Sequence, residues 1–118
     1  NEISTLLKAP PTEAWVKGDK WYSAGGVRLR RTGAWHVHAK DTEPENLDSQ
    51  VAELLRRTTS DLSVWKALSN KYRVDIFCGW FLGSSNEGVE ISPATMAALG
   101  SRGVVLSLDI YGPDVDAP

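Results

Sequence analysis

The alternation of apolar and polar residues is clearest from Val27 to Ala39, where it predicts a β-hairpin. A three-residue loop, Arg31-Thr32-Gly33, places glycine where such a turn needs a left-handed residue. In this register the apolar and basic side chains separate, whereas a two-residue loop would mix them, because a slip of one residue moves every side chain across the sheet. The expected apolar core face is Val27, Leu29, Trp35 and Val37, and the expected basic outer face is Arg28, Arg30, His36 and His38.

Helical spacing of apolar residues predicts four helices. The expected N-caps are Asn1, Asn46 or Glu45, a residue of Thr59-Ser60-Asp61, and Ser92, and Pro93 suits a first helical position. Gly100 or Gly103 is expected to end the fourth helix. The predicted buried stripes are Ile3, Leu6 and Leu7; Leu47, Val51, Leu54, Leu55 and Thr58; Leu62, Trp65, Leu68 and Tyr72; and Met96, Ala97 and Leu99.

Two further segments alternate, Val74–Leu82 and Val104–Tyr111, and both predict strands. Aromatic residues lie on both faces of the first, which predicts an interior strand covered on both sides. Val89–Ile91 is expected to be a short strand. Pro10–Gly26, rich in proline and glycine, is expected to be a long irregular loop, pinned over the core by its aromatic residues.

The order of these elements predicts an α+β domain. The expected architecture is a two-layer sandwich, with one mixed or antiparallel sheet and helices on one face, related to ferredoxin-like βαββαβ arrangements. A strand before Asn1 would complete that pattern. Residues 1–112 are expected to form one domain, and residues 113–118 a flexible acidic tail.

The amino-acid composition argues against some classes of binding partner and cellular environment. The chain has 118 residues and a formal net charge of −2, which argues against nucleic acid or an anionic membrane as the main partner. No apolar run approaches the ~20 residues of a membrane span. A single cysteine, Cys78, fits a reducing cytoplasm. The five tryptophans are expected to be core and loop anchors, with a stacking surface as the alternative.

Few residues are candidates for metal binding, anion binding or catalysis. His36 and His38 point the same way on a strand and could share zinc with Asp75 or Asp109, but a solvated outer face is favoured, so no metal or other cofactor is expected. Arg28 and Arg30 could bind an anionic partner or lie along aromatic surface, but pairing with the two aspartates is favoured. Ser107 lacks a nucleophile elbow, and Cys78 lies among apolar residues. No catalytic residue is therefore assigned.

Motifs along nearly the whole chain resemble a bacterial family, domain of unknown function 4279. They are Glu2–Leu7, Pro11–Asp19, Gly33-Ala34-Trp35, Cys78-Gly79-Trp80, Ser92-Pro93 and Leu106–Tyr111. The resemblance implies a strand before the first helix. It carries no established activity, so no functional residue is transferred from it.

We expect a small bacterial protein-binding module without enzymatic activity, with an immunity-like role towards a toxin as one conceivable case. The alternative is a small-ligand or metal-dependent enzyme that uses the His36 and His38 face. The sequence leaves the oligomeric state open. The expected binding surface is the Pro10–Gly26 loop with the basic hairpin face, and its residues are Trp15, Lys17, Asp19, Trp21, Arg28, Arg30, His36 and His38.

Overall fold

A computed structural model describes residues 1–41 and 46–113, which contain four helices and six strands. None of the helices in these two ranges is long and apolar enough to cross a membrane. In chain order the elements are α1 (Glu2–Leu7), β1 (Glu13–Trp15), β2 (Lys20–Ser23), β3 (Gly26–Leu29), β4 (Ala34–His36), α2 (Leu47–Arg56), α3 (Leu62–Lys71), β5 (Asp75–Phe81), α4 (Pro93–Arg102) and β6 (Val105–Tyr111).

All four predicted helices are confirmed, and each begins at a predicted cap. The side chains of Asn1, Asn46, Asp61 and Ser92 each accept a hydrogen bond from a backbone N–H in the first turn. The alternative cap Glu45 lies outside the described residues. Gly103 ends α4 with φ +70°, a conformation that glycine adopts without steric cost.

Strands β5 and β6 pair in parallel, and α4 connects them, as a parallel crossover requires. The helices α2 and α4 cover one face of this pair. The buried residues there are Leu47, Val51, Trp80 and Leu99. The other face is open, since Phe77 is 65% exposed, so the prediction that β5 is covered on both sides was wrong. Four residues of the predicted buried stripes are also exposed, namely Leu62, Tyr72, Met96 and Ala97.

A second apolar cluster joins α1 to α3 and is built on Leu7, Trp65 and Leu68. Trp35 of β4 packs against it, and its indole N–H donates to the Ser4 hydroxyl at 3.0 Å. Trp35 therefore points inward, and its neighbour His36 points outward. The faces predicted for this strand are confirmed.

The predicted hairpin pairing is wrong. β3 pairs with β2, placing Trp21 opposite Arg28, and β4 pairs with β1, placing Glu13 opposite His36. Val27 and Leu29 are consequently more than half exposed instead of buried. The expected irregular loop contains two strands. The turn between β2 and β3 ends at Gly26, whose φ of +113° suits glycine. This turn pairs β3 with the preceding strand, whereas the loop at Arg31–Gly33 would pair it with the following one.

The α+β class is confirmed. Within residues 1–41 and 46–113 the strands form three two-stranded sheets, β1–β4 and β2–β3 antiparallel and β5–β6 parallel, rather than one sheet. Val89–Ile91 is not a strand. Most of the predicted acidic tail, residues 114–118, lies outside the described residues.

Candidate functional site

A stack of two tryptophans with an arginine between them lies where β1, β2 and β3 meet. The Arg30 guanidinium carbon is 3.9 Å from the centre of the Trp15 ring and 4.8 Å from that of Trp21. The Trp15 indole N–H donates to the Thr32 carbonyl at 3.0 Å, which fixes that ring. We call these three side chains the tryptophan-arginine stack. The cation–π contacts of Arg30 with both rings hold it together, and the hydrogen bond of Trp15 adds to them.

A groove of about 730 Å³ borders the tryptophan-arginine stack. The groove is lined by both tryptophans, by Leu29 and Thr32, and by three arginines, Arg28, Arg30 and Arg31. The segment from Lys17 to Arg31 carries five basic residues and one acidic residue. The groove is therefore locally positive on a chain whose net charge is −2.

The opposite face of the β2–β3 hairpin is exposed and largely apolar. Tyr22, 76% exposed, lies opposite Val27, and Leu29 lies opposite Lys20 on the same face. An isolated two-stranded ribbon is only marginally stable in water. Among the described residues nothing else pairs with this ribbon, so it presents apolar surface to solvent on one side and the tryptophan-arginine stack on the other.

A second cluster contains Glu13, His36 and His38. Pairing of β1 with β4 sets Glu13 opposite His36, and His38 follows two residues later on the same face. One oxygen of Glu13, Oε1, lies 3.0 Å from His36 Nδ1 and 3.9 Å from His38 Nε2. The three side chains are each about half exposed.

The neighbours of the Glu13 carboxylate favour its ionised form. The hydrogen bond with His36 lowers the pKa of Glu13, and electrostatic interactions with His36, His38 and Arg30 act in the same direction. The edge of the Trp15 ring meets the His36 ring at 5.1 Å between centres. This contact joins the cluster to the tryptophan-arginine stack along one continuous face.

Several predicted binding residues come together here, but the predicted aspartate partners do not. Arg30 stacks on tryptophan rather than pairing with an aspartate; Asp75 pairs with Arg73 at 3.8 Å, and Asp109 accepts from the Tyr111 hydroxyl. Asp19 accepts from the backbone of Val16 and so shapes the turn between β1 and β2. Lys17 lies in that same turn.

Sequence reasoning missed Glu13, Arg31 and Thr32. Glu13 stands two residues before Trp15, the spacing at which strand residues share a face, but the proline and glycine content of this segment predicts an irregular loop. At Cys78 the expectation of an unreactive thiol is consistent with the structure, since burial raises the thiol pKa.

The sequence of this chain matches one family over most of its length. The model of that family, described as a domain of unknown function (DUF4279), covers residues 1–113. The chain belongs to the DUF4279 family. No curated protein and no solved structure matches this DUF4279 domain. Its function must therefore be inferred from the surface just described.

Proposed function

We propose that this DUF4279 domain is a protein-binding module, and that the tryptophan-arginine stack with its groove is the recognition surface. The observation that carries the proposal is the Trp15–Arg30–Trp21 stack, a partly exposed group of the residue types that dominate binding energy at protein interfaces. The two cation–π contacts and the Trp15 hydrogen bond already position these side chains in the free chain, which lowers the cost of ordering them on binding.

The charge pattern indicates the chemistry of the partner. Among the residues that the structure describes, Lys17, Lys20, Arg28 and Arg31 have no carboxylate within ion-pair distance. An acidic protein surface would complement these cations and speed association. We therefore infer an acidic protein partner.

The test is quantitative affinity capture from cells of the source organism. Arg30→Ala and Trp21→Ala each remove one member of the stack, and Phe77→Ser, on the open face of β5, is the matched control. Loss of an interface anchor typically costs about 2 kcal/mol, or roughly 30-fold in affinity. We expect a partner that the wild type and the control retain and that both stack variants lose.

Circular dichroism of each variant checks that the fold is kept. Two outcomes contradict the proposal. One is a partner retained equally by Arg30→Ala and Trp21→Ala. The other is capture that disappears after nuclease treatment, because a groove with local positive charge would then be binding nucleic acid rather than protein.

A further inference from the structure

We propose that Glu13, His36 and His38 form a binding site for a zinc-class divalent metal ion. The three candidate ligand atoms lie within 4.8 Å of one another. Two imidazoles and one carboxylate are a ligand set that zinc commonly takes. The ligands of this site are different residues from those of the tryptophan-arginine stack.

The distances are close to those of a metal-bound set. Zinc binds imidazole nitrogen and carboxylate oxygen at about 2.0–2.2 Å, so tetrahedral ligands lie about 3.4 Å apart. Glu13 Oε1 is 3.0 Å from His36 Nδ1 and 3.9 Å from His38 Nε2. These two separations differ from the tetrahedral value by about 0.4 and 0.5 Å, and the third, between the two imidazole nitrogens, is within 4.8 Å.

The backbone around the ligands is held in place. The His36 carbonyl accepts from Thr12 N–H at 2.7 Å, and the His38 N–H donates to the Thr12 hydroxyl at 3.0 Å. The Arg57 guanidinium donates to the His38 carbonyl at 2.8 Å, which ties this strand end to α2. These bonds fix the ligand spacing before any metal binds, and pre-organisation of that kind favours affinity.

The exposure of the cluster defines the type of site. Three protein ligands, each about half exposed, leave at least one coordination position to water, unlike the four-ligand closed sites that stabilise folds. Glu13 serves both imidazoles with one oxygen, and a metal ion would replace this shared contact by three separate bonds. The site is therefore open and exchangeable rather than structural.

Direct titration with zinc chloride tests the site on the untagged chain. The chain has only two histidines, so every imidazole resonance reports on the site. We expect saturable uptake of one zinc ion per chain, with both imidazole rings shifting together in nitrogen-15 spectra. Absence of saturable uptake, or a shift of one ring only, overturns the proposal.

Variants identify the ligands. Changing groups that merely orient metal ligands costs about 10–100-fold in affinity, so loss of a ligand in Glu13→Gln should cost at least about tenfold. The double variant His36→Ala/His38→Ala should bind no zinc. Asp109→Asn and Cys78→Ser are matched controls at a carboxylate and a thiol outside the cluster, and both should bind like the wild type. Zinc affinity unchanged in Glu13→Gln, or lost in either control, contradicts the assignment.

Discussion

Leu99 is buried and Leu29 is exposed, so truncating each to alanine should change the free energy of unfolding by different amounts. Leu→Ala removes three carbons, worth about 2.4 kcal/mol when fully buried at ~0.8 kcal/mol per carbon. Leu99 is 5% exposed in the core between α2, α4 and β5, so the cavity adds to this loss, and we expect about 3–4 kcal/mol. Leu29 is 62% exposed, which limits its loss to about 0.9 kcal/mol.

Thermal unfolding followed by circular dichroism separates the two variants. For a domain of this size 1 kcal/mol corresponds to roughly 4 °C in Tm. Leu99→Ala should therefore lower Tm by roughly 12–16 °C and Leu29→Ala by no more than about 4 °C. Equal losses in the two variants would refute the β2–β3 pairing, because they would place Leu29 in a core, as a β3–β4 hairpin requires.

Three further changes test individual contacts. Trp35→Phe removes the indole bond to Ser4 together with some packing, and its cost in urea unfolding should be about 1 kcal/mol smaller in the Ser4→Ala background, where that bond is already absent; an equal cost in both backgrounds would contradict the bond. Gly103→Ala should destabilise the chain by more than about 1 kcal/mol, since φ is +70° and the added carbon would meet a serine hydroxyl of α3; an unchanged urea midpoint would contradict this. The backbone hydrogen bond from Ser92 lowers the pKa of Asp48 from 3.8, so its stabilisation is present above about pH 4 and is lost as pH falls through the lower folded value. Unfolding between pH 6 and 2 should therefore show a smaller acid loss in Asp48→Asn than in the wild type, and identical acid limbs would contradict the assignment.

The helices could be predicted from sequence because their signals are local. Asn1, Asn46, Asp61 and Ser92 cap the turns that they precede, and the apolar spacing then sets the buried faces. The side-chain alternation of β4 was also local, and the inward Trp35 and outward His36 followed from it. The exceptions are Leu62, Tyr72, Met96 and Ala97, which are exposed, because helical spacing alone does not show how far the neighbouring elements extend.

The strand partners could not be predicted, because pairing is a contact between distant segments. Alternation in Val27–Leu29 fits a strand equally well whether its partner precedes or follows it. Glu13 could not be predicted as the third member of the histidine cluster for the same reason. It lies 23 residues before His36 and contacts it only because β1, a strand of three residues, pairs with β4. Asp75 and Asp109 were considered instead because they alternate on clear strands.

The residues of the tryptophan-arginine stack could be predicted from the sequence, but their arrangement could not. Residue type indicates Trp15 and Trp21, and alternation along a strand places Arg28 and Arg30 on one face. Their assembly depends on β2 and β3 pairing, which brings Trp21 opposite Arg28 and Arg30 beside both rings. Residue chemistry therefore indicated the surface, and tertiary pairing determined its geometry.

Site-specific photo-crosslinking in cells of the source organism tests the recognition surface most directly. A photoreactive amino acid replaces Arg31, which lines the groove without joining the stack, or Phe77 on the open face of β5 as the control. We predict one discrete protein adduct from position 31, lost when Arg30→Ala is added, and none of that mass from position 77. The same adduct from both positions, or from position 31 regardless of Arg30, would contradict the account.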